Sequence, residues 1–333
     1  MKGVEMHRST DVKMVYVLDP PRDPGPDECE IESRILEGTA KVSLLRIKDE
    51  EELLPYTSDA EGIILAHHVQ ITRKSLSRLR RARLIVRKGV GVDNIDIKTA
   101  REFGIAVCNV PDYGTEEVAD HALAMALSLW RRLGPLKENV RAGNWNWHVA
   151  EGVRRARGKI FGVVGCGRIG TAAARRAQAF GFDCVFEDPY VAQGYEKALG
   201  IKRVERLTEI LQIADIVSLH VPLTEETFHL LGRDQFQHFK PGAYLVNTSR
   251  GPVIDERALV EALQSGKLAG AALDVVETEP RPLPELLSLQ NCIITPHAAF
   301  YSVESLTEVR EKAARLVLEA LTGDRIRNIV NEP

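Results

Sequence analysis

The sequence has 333 residues, 44% hydrophobic and 27% charged, the balance of a folded globular protein and too long for a comfortable single core. Lys and Arg number 44 against 47 Asp and Glu, so the formal charge of −3 supplies no global basic field, and neither a nucleic-acid nor a membrane partner is expected. No apolar stretch approaches the ~20 residues that cross a bilayer, and the apolar run 14–18 is too short for a secretory signal. The cysteines (Cys29, Cys108, Cys166, Cys184, Cys292) are scattered and odd in number, which argues against a disulfide framework or a metal site and for a reducing cytoplasm.

Short apolar runs alternate with helical patterns, as the βαβ units of parallel sheets require. In the first third the strand candidates are 14–18, 42–45, 62–66, 84–86 and 106–109. Between the first two lies a helix with Asp27 as its cap, Ile31 and Ile35 on one face and Gly38 as its stop. This predicts a small doubly wound domain ending near Pro111. A long helix follows, with Thr115 as cap and Glu116 and Glu117 at the positive end of its dipole. Its stripe Val118, Ala122, Met125 and Leu129 is widened by Leu123, Leu127 and Trp130, a width that predicts burial between domains or subunits. The cluster Arg154-Arg-Ala-Arg157, after Trp145 and Trp147, reads as a solvated connection.

From Lys159 a second series begins, with strand candidates 160–165, 184–187, 216–221, 243–247, 270–275 and 292–295. Six strands is the number in a complete dinucleotide-binding fold. Asp255 caps and Gly266 closes a helix carrying Leu259 and Leu263, and a last amphipathic pattern runs from Ser305 to Leu321 and stops at Gly323.

The cofactor signal is Gly165-Cys-Gly167-Arg-Ile-Gly170, preceded by a buried strand and followed by a helix. Gly165 permits the tight turn, Gly167 the approach of a pyrophosphate, and Gly170 the close seating of the helix on the strand. The amides near Arg168 and Ile169 then face the phosphates. Asp188, eighteen residues beyond Gly170, ends the next strand and suits ribose hydroxyls while repelling a 2′-phosphate. The pair predicts dinucleotide binding, with NAD favoured over NADP.

Ligands of open parallel sheets bind beyond the carboxyl ends of the strands. The fourth strand of this series delivers Arg250, the fifth Asp274 with Glu279 shortly beyond, and the sixth His297. One cation, two acids and an imidazole thus share the cofactor's edge.

Four stretches resemble the signatures of the NAD-dependent D-2-hydroxyacid dehydrogenases: Gly165–Gly170, Asn247-Thr-Ser-Arg-Gly251, Ala272-Leu-Asp-Val-Val-Glu-Thr-Glu-Pro280 and Thr295-Pro-His-Ala-Ala299. The resemblance extends to Lys88–Asp96 and Ala106–Pro111. It is strongest to the C-terminal-binding protein branch, through Phe180-Gly-Phe182, Asp188-Pro-Tyr190 and Pro296–Ser302.

The resemblance implies two doubly wound parallel-sheet domains with a cleft between them: a flavodoxin-like substrate domain (1–112 and 304–333) and a Rossmann NAD-binding domain (113–303). His297 would be the general acid or base, Glu279 its partner, and Arg250 the ligand of the substrate carboxylate and carbonyl. Asp274 would hold the nicotinamide carboxamide, and Val221, Thr227 and Thr248 would line NAD beside Arg250 and His297. Arg87 with the amides of Val90 and Gly91 would complete the carboxylate site, and Phe300 would wall the substrate. Two departures stand out. Phe300 replaces a tryptophan of the C-terminal-binding protein branch, and Val118 replaces a hydroxyl residue common near the nicotinamide. The expected function is reversible hydride transfer between NAD(H) and a 2-oxo acid, in a homodimer formed through the NAD-binding domain. The alternative is an NAD(H)-sensing corepressor scaffold with vestigial activity. Long disordered tails would be expected of a corepressor, and a regulatory module beyond Asn331 of a serine-regulated phosphoglycerate dehydrogenase.

Overall fold

The computed structural model describes residues 12–20 and 29–332. In chain order these form β1 (Met14–Asp19), α1 (Glu30–Ile35), β2 (Lys41–Arg46), β3 (Ala60–Leu65), α2 (Arg73–Leu76), β4 (Leu84–Arg87), α3 (Ile97–Glu102), β5 (Ala106–Asn109), α4 (Thr115–Trp130) and α5 (Leu133–Arg141). There follow β6 (Ile160–Val164), α6 (Arg168–Ala179), β7 (Asp183–Glu187), α7 (Tyr195–Leu199), β8 (Lys202–Arg203), α8 (Leu207–Ile213) and β9 (Ile216–Leu219). The last elements are α9 (Arg233–His238), β10 (Ala243–Asn247), α10 (Glu256–Gln264), β11 (Leu268–Leu273), α11 (Pro284–Ser288), β12 (Cys292–Ile294) and α12 (Val303–Thr322). The expected cap Asp27 lies outside the described residues. Among the described residues no helix is long and apolar enough to cross a membrane.

The described residues form two compact units, those up to 113 together with those from 302 onward, and residues 114–301. The first holds a parallel sheet of order β2-β1-β3-β4-β5, the flavodoxin-like arrangement. Val15, Val17, Ile63, Ile64, Ile85 and Val86 are buried because both sheet faces are covered. α12 belongs to this unit: a Cβ on Gly62 would stand 3.0 Å from Val317. The fully buried Glu32 accepts from Arg310 Nε at 2.9 Å and Nη2 at 2.6 Å. Ser302 caps α12 in a reciprocal box with Ser305, three residues before the pattern read from sequence begins, and Gly323 closes it at φ +86°.

The second unit holds a parallel sheet of order β12-β11-β10-β9-β6-β7-β8. The six expected strands are present, and a seventh, β8, adds a two-residue edge too short to show periodicity. The strand order reverses at β6, so its crevice lies between the carboxyl ends of β6 and β9. α4 is spent inside this unit, with Val118, Ala122, Leu123, Met125, Ala126, Leu129 and Trp130 buried against α6, β10 and β11. The apolar stripe is therefore covered within its own unit, while Glu116, Asp120 and Ala124 on the other side of the helix are exposed. Thr115 is the first helical residue rather than the cap, which is Gly114. Asp255 caps α10 as expected, accepting from the amides of Arg257 and Ala258.

Candidate active site

β6 ends in the glycine turn. Gly165 has φ +87°, and a Cβ there would meet the His220 carbonyl oxygen at 2.7 Å, so the turn is pressed against the end of β9 at the crevice. A Cβ on Gly170 would fall 2.0 Å from the Gly165 oxygen, which seats α6 directly on the turn. Gly167 and Arg168 are exposed, and a Cβ on Gly167 would meet nothing within 4 Å. No side chain caps α6, so the first amides of the helix, around Arg168 and Ile169, are presented at this opening. Cys166 is buried within the turn, and burial pushes its thiol up, which suits a space-filler and not a nucleophile.

Asp188 follows β7. Its Oδ2 accepts from the Cys166 amide at 2.8 Å and its Oδ1 from the Tyr190 amide at 2.8 Å, so the carboxylate is anchored at the turn with acceptor capacity remaining. Beyond β9, Val221 borders Gly165, and the Thr227 hydroxyl closes its own loop by donating to the Pro222 oxygen at 2.6 Å. After β10, Thr248 is buried and its hydroxyl has no hydrogen-bond partner among the described residues. An open glycine at a helix N-terminus, an anchored acid and an orphaned buried hydroxyl on one sheet edge fit a bound dinucleotide.

Arg250 is placed by the segment Asn247–Gly251. Asn247 donates to the Arg250 oxygen at 2.9 Å and accepts from the Ser249 hydroxyl at 2.7 Å. A Cβ on Gly251 would lie 1.9 Å from the Val276 oxygen, so the loop bearing Arg250 is packed on the loop that leads to Glu279. His297 Nδ1 stands 2.8 Å from Glu279 Oε2, and both side chains are about a quarter to a third exposed. The His297 backbone is left-handed, φ +52°, and its ring meets Phe300 edge-on at 6.2 Å between centroids. Phe300 in turn packs on Gly114. The Glu279–Pro280 peptide is cis.

Asp274, the residue expected to hold the carboxamide, follows β11. It is 1% exposed, and its carboxylate accepts from the Thr295 hydroxyl at 2.6 Å and from the Ala298 and Ala299 amides, each at 2.9 Å. These three bonds anchor the loop carrying His297.

Sequence reasoning missed a second imidazole–carboxylate pair. His229, also left-handed at φ +49°, sets Nε2 2.9 Å from Glu277 Oε1 and donates its amide to Pro252 at 2.8 Å. Glu277 shares a reciprocal backbone contact with buried Glu256, whose carboxyl is pushed up by burial first and by the Glu277 charge. Its only sequence signal was the neighbouring Glu279.

In the other unit Arg87 ends β4, is 7% exposed, and donates Nη1 to the Lys88 oxygen at 2.8 Å. A Cβ on Gly89 would collide with its guanidinium at 1.4 Å. Val90 is 39% exposed and its carbonyl accepts from Asn109 at 2.7 Å; Gly91 is partly buried beside it.

Residues 123–299 match the family described as D-isomer specific 2-hydroxyacid dehydrogenase, NAD binding domain. The chain is 37% identical over 300 residues to D-3-phosphoglycerate dehydrogenase of Methanocaldococcus jannaschii, covering 90% of this chain and 57% of that protein. It is 35% identical over 307 residues to C-terminal-binding protein 1 of Caenorhabditis elegans, covering 89% and 42% respectively. It therefore spans about half the length of these curated relatives. Among solved structures it is similar to D-lactate dehydrogenase from Aquifex aeolicus complexed with NAD and lactic acid, with a TM-score of 0.85 and 32% identity over 96% of this chain and 99% of that one.

Proposed function

The chain belongs to the D-isomer specific 2-hydroxyacid dehydrogenases and carries that family's NAD-binding domain, and from this premise we propose that it interconverts a 2-oxo acid and its D-2-hydroxy acid. NAD(H), when bound, accepts or supplies the hydride at C2 of the substrate. His297 gives the carbonyl oxygen its proton in reduction and takes it back in oxidation. With Nδ1 engaged by Glu279, that proton leaves from Nε2. Glu279 fixes the ring's orientation and tautomer through its contact with Nδ1. Arg250 pairs with the substrate carboxylate and polarises the carbonyl. Gly165, Gly167, Gly170 and the amides of Arg168 and Ile169 seat the pyrophosphate, Asp188 the adenosine ribose, and Val221, Thr227 and Thr248 the remaining length. Arg87 and the amides of Val90 and Gly91 are assigned to the substrate carboxylate as well, and Phe300 to the substrate's apolar side. Five scattered cysteines, odd in number and without a C-x-x-C pair, support a cytoplasmic setting.

The observation that carries this reading is the 2.8 Å His297–Glu279 pair on the same sheet edge as the glycine turn. The test is NADH depletion against glyoxylate, hydroxypyruvate, pyruvate, phosphohydroxypyruvate and branched 2-oxo acids, repeated with NADPH. Turnover with NADH on at least one acid is expected, and Arg250→Ala should lower kcat/KM by about two to three powers of ten with NADH affinity retained. Equal loss of cofactor affinity would show that Arg250 is misassigned. The likeness to C-terminal-binding protein 1 supports a second reading, an NAD(H)-sensing scaffold; NADH binding without turnover of any acid would favour it.

A further inference from the structure

A buried carboxylate persists only among donors or cations. Asp274 is surrounded by the Thr295 hydroxyl and two amides, and the next group out is His121 of α4. Thr295 spends its only hydroxyl proton on Asp274, so toward His121, 3.1 Å away, its oxygen acts as acceptor. His121 Nε2 is therefore the protonated nitrogen, donating to Thr295 at 3.6 Å from the Asp274 carboxylate. The donor chain from α4 ends on the segment 295–299, where the His297 amide also donates to the Asp274 carbonyl at 2.8 Å. A left-handed histidine is strained and persists only where its surroundings hold it.

We propose that His121 is a positioning residue for His297, acting through Thr295 and Asp274 to hold the loop that presents the imidazole to Glu279. The consequence for turnover rests on the dehydrogenase reading; the consequence for the loop does not. His121→Phe keeps a ring and removes the donor, whereas His121→Gln keeps an N–H to offer Thr295.

The first measurement is the rate of carbethoxylation of each histidine by diethyl pyrocarbonate in the ligand-free protein, read by peptide mass mapping. His297 is expected to react about threefold faster or more in His121→Phe and near the wild-type rate in His121→Gln. His229, paired and left-handed in the same unit, should keep its rate in both. The second is kinetic: kcat should fall about 10- to 100-fold in His121→Phe while KM for the 2-oxo acid and NADH affinity stay within a few-fold, with most of the loss recovered in His121→Gln. An unchanged His297 rate, a parallel rise at His229, or a Gln variant as impaired as the Phe variant would overturn the proposal. If the wild type turns over no acid, the dehydrogenase reading fails and the carbethoxylation pattern alone decides for or against His121. Should His121→Phe fail to fold, Thr295→Val, which removes the relaying hydroxyl, carries the same expectations.

Discussion

His220 closes β9 with its imidazole 2.9 Å from the Ser218 hydroxyl, and burial pushes its pKa down to about 4. An unfolded histidine titrates near 6.5, so the folded state here binds its proton less readily than the unfolded one. The neutral ring's contribution to stability is complete above pH ~6.5 and is lost as the pH falls toward 4. Between pH 7 and 5 that loss amounts to about 2 kcal/mol. Urea unfolding at the two pH values should show wild type losing about that much more than His220→Gln. At the same scale, Arg250, Glu279 and His297 were legible because each follows a strand end, a position readable from local pattern. The anchoring role of Asp274 was not, because its partners lie more than twenty residues away in the chain. His121 and His229 stayed hidden for the same reason: neither carries a local signal, and their partners are 174 and 48 residues distant.

Elements set off by side-chain-to-backbone rules were the most readable. Asp255 and Gly266 bound α10 because an acid cap and a left-handed glycine act within a turn of themselves. β8 offered two residues and no period, and Thr115 invited a capping role that the backbone gives to Gly114. The loops after β10 and β11 are where the elements meet most closely. A Cβ on Gly251 would overlap backbone atoms of Val276 and Glu277 at 1.9 to 2.5 Å, and backbone yields less readily than the tip of a side chain. Gly251→Ala should therefore cost about 2 kcal/mol or more in urea unfolding. Because the displaced loops carry Arg250 and lead to Glu279, kcat/KM should fall more than the lost stability explains. A variant with wild-type midpoint and wild-type turnover would refute the close packing.

For the molecule as a whole, the open question of assembly turns on where apolar surface remains. α4, the helix expected at a subunit interface, buries its apolar stripe within its own unit. The segment after it exposes Leu133 (53%), Val140 (51%), Trp145 (92%) and Trp147 (72%), and α5 buries none of its residues. Clusters of exposed aromatics of this kind mark association sites. A homodimer through this segment is the expectation: light scattering should give about twice the chain mass, and Trp145→Asp with Trp147→Asp should return a monomer. A monomeric wild type would remove the argument.

The first unit is assembled from both extremes of the described chain. Asn331 receives the Val107 amide at 2.9 Å and donates to the Ile105 oxygen at 2.9 Å, α12 covers β3 and β4, and Arg310 neutralises Glu32. Residues 114–301, by contrast, are contiguous. During synthesis the later segment can close its sheet once β12 has cleared the ribosome, whereas the earlier one must wait, with its apolar strands half covered, until translation delivers its last helix. The part made first is completed last, and that interval is when the nascent chain has most need of a chaperone.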